Sequence, residues 1–116
     1  MERITVYHNP ACGNSRGALE LLRTRDVDFD IVEYLKVHPT REALDKIVDL
    51  LDVPVADLVR KDKRFKELGL DAALYTDKKS VVALLLKHPE LMQRPIVIKG
   101  KRAIIARPPE KLEPLL

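Results

Sequence analysis

The apolar positions in the first third of the chain recur with two different periods, which predict a strand, a helix and a second strand. Residues 4–7 are β-branched and aromatic and precede the turn residues 9–10, which is typical of a buried strand that ends in a loop. Apolar residues then recur at helical spacing up to about residues 25–26, and residues 29–34 alternate as a second strand. Such a strand, helix and strand form a βαβ unit, so we expect the two strands to be parallel.

Residues 35–93 show mainly the helical period of apolar positions, and they predict a helical insert. The predicted segments are an amphipathic helix that begins after the N-cap Thr40 and is ended by Pro54, short turns at 56–60 and 65–68 with Gly69 as a left-handed cap, and a helix from Thr76-Asp77 to His88-Pro89. This insert lies between the βαβ unit and the C-terminal strands.

The C-terminal part predicts an antiparallel hairpin and a last helix. Residues 95–98 and 102–106 read as two strands joined by a short segment that contains a glycine. Residues 108–110 suit the first turn of a helix whose leucines would cover the sheet, namely Leu112, Leu115 and Leu116. The order βαβ, helical insert, ββα predicts one α/β domain over residues 1–116, with a central mixed four-stranded sheet flanked by helices.

The composition is that of a folded globular domain, with 46% hydrophobic and 34% charged residues. The net charge is only +3, basic and acidic residues are interleaved, and aromatic residues are few, so we expect no nucleic-acid partner. The longest apolar run, Val81 to Leu86, is too short to cross a bilayer, and Met1-Glu2-Arg3 shows no signal-peptide pattern. We therefore expect a cytoplasmic monomer without a membrane partner.

The single cysteine, Cys12, lies where the first strand gives way to the first helix. Unpaired N–H groups and the helix dipole favour an anion at a helix N-terminus, and such a position lowers a thiol pKa from its ordinary value of about 8.5. A reactive thiolate is therefore one interpretation of Cys12. The other is a small buried hydrophobic residue, as most free cysteines are. These local residues leave both open, and a single cysteine excludes an internal disulfide.

Four segments of the chain carry a specific pattern in this order: His8-Asn9-Pro10-x-Cys12-x-x-Ser15-Arg16, Leu58-Val59-Arg60-Lys61, Pro89-x-Leu91-x-x-Arg94-Pro95-Ile96-Val97, and Arg107-Pro108. Together they resemble the glutaredoxin-linked arsenate reductase (ArsC) family, and the resemblance covers essentially the whole chain. It implies a thioredoxin-like fold, in which the third strand begins after a cis proline. We therefore predict a cis Arg94–Pro95 peptide bond.

The resemblance also implies a role for individual residues. Cys12 would attack arsenate as a nucleophile and form a thiol-bound arsenic(V) adduct. His8 would help to keep the thiol ionised, and Ser15 would hydrogen-bond locally. The substrate oxyanion would be held by three arginines, expected to be exposed, which are Arg60, Arg94 and Arg107.

Other charged residues near the cysteine have weaker assignments. Arg16 is a further candidate for the oxyanion site, but a solvent-exposed cation or a local salt bridge explains it equally well. Without the family pattern, Arg60 would read as a surface residue in a charged run. We expect no metal site, because His8 is the only histidine that lies beside the cysteine as a second metal-binding side chain.

Ser15 stands where dithiol enzymes of the thioredoxin type have a second cysteine, so the electrons must come from outside. The resemblance implies glutathione as a cosubstrate, glutaredoxin as the reductant of the resulting mixed disulfide, and no bound cofactor. The C-x5-R motif of the unrelated phosphatase-like arsenate reductases is absent, because Ala18 stands where the arginine would be.

The short segment after Arg107-Pro108 leaves alternatives for the function, because members of the family often continue with a C-terminal extension. One alternative is a thiol-dependent reductase of another substrate. Another is a non-catalytic regulator of the Spx type, which shares the fold and binds RNA polymerase. The presence of all three arginines and His8 favours the enzyme.

Overall fold

The computed structural model describes residues 3–116, and its strands form one sheet in the order β2-β1-β3-β4. The strands are β1 (Ile4–His8), β2 (Phe29–Glu33), β3 (Ile96–Lys99) and β4 (Arg102–Ile105). The helices are α1 (Gly13–Thr24), α2 (Arg41–Leu50), α3 (Lys63–Glu67) and α4 (Lys78–Lys87). Short 3-10 segments occupy Val55–Leu58, Ala72–Leu74, Pro89–Leu91 and Pro109–Leu115.

The sheet is mixed, as predicted. β1 and β2 are parallel, from the pair Ile4 and Phe29 to the pair His8 and Glu33, because α1 crosses over between them. β3 is antiparallel to both β1 and β4. The tight turn between β3 and β4 uses Gly100 at φ 60°, a left-handed conformation that glycine adopts without steric cost.

The sheet separates two apolar clusters, because successive side chains of a strand point to opposite faces. On one side, which we call the α1 face, α1 and the C-terminal 3-10 segment pack on a cluster with Ile4, Val6, Val97 and Ile104. On the other side, the insert face, the helices between β2 and β3 pack on a cluster with Tyr34, Ile96, Ile98 and Ala103.

The helix caps of the insert follow the sequence closely. Thr40 caps α2 by accepting a hydrogen bond from the N–H of Ala43 at 3.1 Å, as predicted. Asp77 caps α4 in the same way, accepting from the N–H of Ser80. Gly69 has a φ of 67°, which confirms the left-handed cap predicted after the short helix α3.

Two details of the packing differ from the sequence prediction. α2 ends at Leu50 and not at Pro54, because the extended backbone of Leu51 forms a β-bridge with Ala103. Leu116 was predicted to cover the sheet, but it is 37% exposed. Leu115 is buried and its carbonyl accepts from the Lys99 ammonium, so the chain is anchored one residue earlier.

Two residues used in the sequence analysis, Met1 and Glu2, lie outside the described residues. Within residues 3–116, no helix is both long enough and apolar enough to cross a membrane.

Candidate active site

The parallel strands β1 and β2 bring Asn9 and Tyr34 to the same end of the sheet. His8 and Glu33 form the last pair of the two strands. The residues that follow them, Asn9 and Tyr34, therefore lie side by side at this edge of the sheet. Asn9 is buried, and its Oδ1 accepts the N–H of Ala11 at 3.0 Å, which shapes the loop that leads to α1. Tyr34 is fully buried in the cluster of the insert face.

Strands β3 and β4 continue this row with two arginines. The N–H of Ala106 donates to the carbonyl of Pro95 at 3.0 Å, which extends the pairing beyond the two strands. Arg94 and Arg107 follow at the next level, and Nη1 of Arg107 donates to the carbonyl of Arg94 at 2.9 Å. The backbone register therefore aligns Tyr34, Asn9, Arg94 and Arg107 across the end of the sheet.

Cys12 is the N-cap residue of α1, with an extended backbone at φ −97° and ψ 123°. Its N–H donates to the carbonyl of Asn9, and its own carbonyl accepts the N–H of Arg16, each at 3.0 Å. These bonds fix the loop against the first turn of the helix. The thiol is buried, and Nη1 of Arg107 approaches Sγ to 3.6 Å.

The surroundings of the sulfur lower its pKa. Burial raises the pKa of the Cys12 thiol, but it is opposed by hydrogen bonds from the N–H of Ser15, the guanidinium of Arg94, the hydroxyl of Ser15 and the N–H of Asn14. The hydrogen bonds outweigh burial, so the pKa falls well below that of an ordinary thiol, to about 6. The thiolate therefore predominates at neutral pH, which favours the reactive interpretation over a small buried hydrophobic residue.

Arg60 reaches the site through a short β-bridge between Val59 and Met92. The N–H of Arg60 donates to the carbonyl of Leu91 at 2.7 Å, so its segment is tied to the one that leads into Arg94. Nε of Arg60 donates to Oδ2 of Asp62 at 3.1 Å, which fixes the direction of the guanidinium. The positive charges of Arg60 and Arg94 both act on the hydroxyl of Tyr34.

The expectation that the three arginines are exposed is wrong. The side chain of Arg60 is only 18% exposed. Arg94 and Arg107 are half-buried, because both follow the row at the end of the sheet. Nε of Arg94 is buried without a hydrogen-bond partner. Substituting any of the three is therefore expected to affect packing as well as charge.

The peptide bond before Pro95 is cis, in agreement with the sequence prediction. The Arg107–Pro108 bond is also cis, which the sequence analysis did not predict. Both bonds follow arginines that the resemblance assigned to the oxyanion site.

Ser15 and Arg16 both support the cysteine loop. Ser15 is fully buried, and its Oγ accepts the N–H of Asn9 at 3.4 Å while its hydroxyl donates to the Cys12 sulfur. Arg16 is exposed, and its Nη1 donates to the carbonyl of Pro10 at 2.9 Å. The structure thus places Arg16 against the loop backbone, and its role towards an oxyanion stays a prediction.

His8 lies on the α1 face, because it continues the alternation of Ile4 and Val6 along β1. Its Nδ1 is buried without a hydrogen-bond partner. Burial lowers the pKa of His8, and nearby arginines of α1 lower it further. Glu33 raises this pKa but does not restore its ordinary value, so the ring is neutral at pH 7. The largest contributions that lower the pKa of Cys12 come from other groups, and the thiolate-stabilising role of His8 stays a prediction.

Sequence reasoning missed Tyr34 and Asn9 as parts of this site. The sequence places Asn9 in a turn and in the family pattern without assigning it a role in the site, and it indicates only the end of a strand at Tyr34. The signal was present in the βαβ unit, since the residues that follow two parallel strands meet at the same edge of a sheet. Within the described chain, no three His, Cys, Asp or Glu side chains are grouped so that they could hold a metal ion.

Comparison with known proteins places the chain in a family. The model of the ArsC family matches residues 7–115. An arsenate reductase of Escherichia coli (strain K12) is 40% identical over 111 residues, which cover 95% of this chain and 78% of that protein. An arsenate reductase of Neisseria meningitidis serogroup A is 37% identical, with 100% of both chains covered.

A solved structure agrees with the sequence comparisons. The arsenate reductase from Vibrio cholerae has a TM-score of 0.88 to this chain and is 32% identical, with 99% of this chain and 98% of that chain covered. The predicted thioredoxin-like α/β fold is thereby confirmed. The family match spans nearly all described residues, including Cys12 and the three arginines, and this chain belongs to the ArsC family.

Proposed function

We propose that this protein reduces arsenate to arsenite, with Cys12 as the nucleophile and glutathione as the source of electrons. The observation that carries the proposal is the Cys12 thiol itself, whose pKa is about 6 and whose sulfur is contacted by Arg94 and Arg107. The names of the relatives from Escherichia coli and Neisseria meningitidis support arsenate as the substrate.

Arsenate is an anion at neutral pH, so a thiolate approaching it needs positive charge nearby. Arg94 and Arg107 lie beside the sulfur, and Arg60 is tied to the segment of Arg94. A guanidinium is charged at any relevant pH and holds two oxyanion oxygens at once. The thiolate, dihydrogen arsenate and one proton from solvent would give the Cys12–arsenic(V) adduct and water.

The second step needs an external thiol, because Cys12 is the only cysteine of the chain. Glutathione would attack the adduct at the Cys12 sulfur, forming a mixed disulfide and releasing arsenic as arsenite. Two thiol groups are then oxidised to one disulfide while arsenic(V) gains two electrons. Glutaredoxin would reduce the mixed disulfide and restore the Cys12 thiol.

A surface cavity beside Arg107 supports a peptidic thiol as the cosubstrate. It has a volume of about 380 Å³, and Arg102, Lys111, Asp57 and Gln93 also line it. The cations suit the two carboxylates of glutathione, and Asp57 suits its ammonium group. No bound cofactor is needed for this sequence of steps.

The test is the production of arsenite by the purified protein with arsenate, glutathione and glutaredoxin. We expect turnover that requires all three components. Cys12→Ser should abolish turnover and still bind arsenate, because serine keeps the shape of the site and loses only the nucleophile. Absence of arsenite from the wild-type protein, despite bound arsenate, would favour a reductase of another substrate. Absence of both binding and turnover would favour the regulator that binds RNA polymerase.

A further inference from the structure

The hydroxyl of Tyr34 is the most unusual polar group at the end of the sheet. Tyr34 is 0% exposed, and its hydroxyl oxygen is buried without a hydrogen-bond partner. Most buried hydroxyls in proteins are paired, because removing such a group from water without a partner costs stability. An unpaired one directly beside a reactive thiol site therefore calls for an explanation.

The groups that face this hydroxyl are donors and cations. The side chains of Arg94 and Asn9 face the hydroxyl with their N–H groups, outside hydrogen-bonding geometry, and the charge of Arg60 acts on it as well. Oδ1 of Asn9 accepts the N–H of Ala11 and makes no hydrogen bond with the tyrosine. A tyrosine hydroxyl has one proton to donate. These neighbours leave that proton without an acceptor.

A second unpaired donor lies nearby. Nε of Arg94 is buried without a partner, and Arg94 is one of the residues that face the Tyr34 hydroxyl. The Tyr34 hydroxyl and Nε of Arg94 are two buried donors that both lack an acceptor, and the positive charges of Arg60 and Arg94 favour one that is negatively charged. A tetrahedral oxyanion beside Cys12 would supply oxygens to both.

We propose that the hydroxyl of Tyr34 donates a hydrogen bond to the oxyanion bound by Arg60 and Arg94. This rests on the proposed function, since it requires that an oxyanion binds beside Cys12. Tyr34 then contributes a neutral donor of fixed position to a site whose other donors are charged. The buried ring, packed into the cluster of the insert face, holds the hydroxyl in place before the anion arrives.

A purely structural tyrosine gives the opposite expectation for Tyr34→Phe. If the hydroxyl stabilised the fold, its loss would lower the melting temperature whether or not an anion is present. A donor reserved for the anion is unpaired in its absence, so its removal should leave the melting temperature of the anion-free protein unchanged or higher. The loss should then show only when sulfate or arsenate is added.

The experiment compares wild type, Tyr34→Phe and the control Tyr75→Phe in buffer without oxyanions and in titrations with arsenate and sulfate. Tyr75 packs edge-to-face on Phe65, with ring centroids 6.1 Å apart. Tyr75→Phe therefore removes a hydroxyl from the insert and not from the row at the end of the sheet. Binding is measured by calorimetry and by the rise in melting temperature. We expect Tyr34→Phe to bind both anions about tenfold more weakly or worse, and Tyr75→Phe to bind them as wild type does.

The outcomes separate this inference from the proposed function. If wild type binds an oxyanion and Tyr34→Phe binds it equally well, the role of Tyr34 is wrong and the reductase proposal stands. An equal loss of melting temperature with and without anion would also overturn it. If wild type binds neither anion near Cys12, both proposals fail together.

Discussion

On each face of the sheet an unpaired polar atom is buried near the same end, Nδ1 of His8 on one and the hydroxyl of Tyr34 on the other, and their surroundings differ. His8 lies on the α1 face, and Tyr34 is in the cluster of the insert face. Burial, helped by the nearby arginines, lowers the pKa of His8, so its ring is neutral. The arginines near Tyr34 are those of the candidate oxyanion site.

We infer from this contrast that an unpaired buried group indicates a binding site when a neighbouring group lacks the same partner. Nδ1 of a neutral His8 ring is one isolated atom among side chains of α1. Tyr34 and Arg94 are two donors that one anion would satisfy together. We therefore expect the chemistry at Cys12 to depend on the arginines and on the N-terminus of α1 more than on the imidazole.

The largest expected effect is that of Arg94→Ala, which removes a hydrogen bond to the sulfur and one guanidinium group of the candidate oxyanion site. Loss of a donor that acts on developing charge commonly costs about 3–4 kcal/mol, or roughly a hundredfold or more in turnover. The pKa of Cys12 should also rise, since Arg94 lowers it. Turnover and the pH dependence of alkylation by iodoacetamide measure the two effects.

Arg60→Ala is the matched control for this pair of effects. Arg60 makes none of the largest contributions to the pKa of Cys12, so its loss should weaken arsenate binding and shift the alkylation profile much less than Arg94→Ala does. Arg94→Lys should rescue poorly, because an ammonium cannot hold two oxygens at once. A melting curve of each variant identifies loss of fold. If folded Arg94→Ala kept the turnover of wild type, the proposed role of the arginines in the mechanism would be wrong.

The next effect concerns the pH dependence of stability, which Cys12→Ser should alter. The pKa of Cys12 is about 6 in the folded chain, below that of an ordinary thiol, so the unfolded chain binds more protons above pH 6. The lowered pKa stabilises the fold at high pH, and this contribution is lost as the pH falls through about 6. From pH 5 to pH 8, wild type should gain about 2–3 kcal/mol over Cys12→Ser.

Urea unfolding of the two proteins at several pH values, in reducing buffer free of oxyanions, measures this difference. Groups such as His8 titrate in both proteins, so their contributions cancel in the comparison. A bound anion would raise the thiol pKa and must be excluded from the buffer. Parallel pH profiles for wild type and Cys12→Ser would show that the thiolate is not stabilised by the fold.

Much of the fold could be predicted from the sequence, because local signals agree with the tertiary structure. The alternation of residues 29–34, the caps Thr40 and Gly69, and the glycine turn of the hairpin each have a local physical cause. The end of α2 could not be predicted from Pro54, since it depends on a bridge to Ala103 that is distant in sequence.

The site could be predicted less completely. Cys12 and the arginines were identified from a pattern, but their burial depends on how the ends of four strands align. Tyr34 has no local sign of function, because its neighbours Asn9 and Arg94 come from other strands. His8, in contrast, has the same parity as Ile4 and Val6 in β1, so its position on the α1 face was available from alternation alone.

The smallest expected effect is that of His8→Gln, which tests the α1 face directly. The resemblance predicts that loss of the imidazole raises the pKa of Cys12. In the structure, the pKa of Cys12 is lowered by the first-turn N–H groups, the Ser15 hydroxyl and Arg94. Any rise of this pKa in His8→Gln should therefore be well below the rise in Arg94→Ala. Glutamine keeps a polar side chain in the buried position of His8. It disturbs the packing less than His8→Ala, which would leave a cavity. Alkylation rates of the three proteins across pH 5 to 9 measure this. A rise in His8→Gln as large as in Arg94→Ala would show that the imidazole acts on the thiolate across the sheet, and the contrast between the two faces would then be wrong.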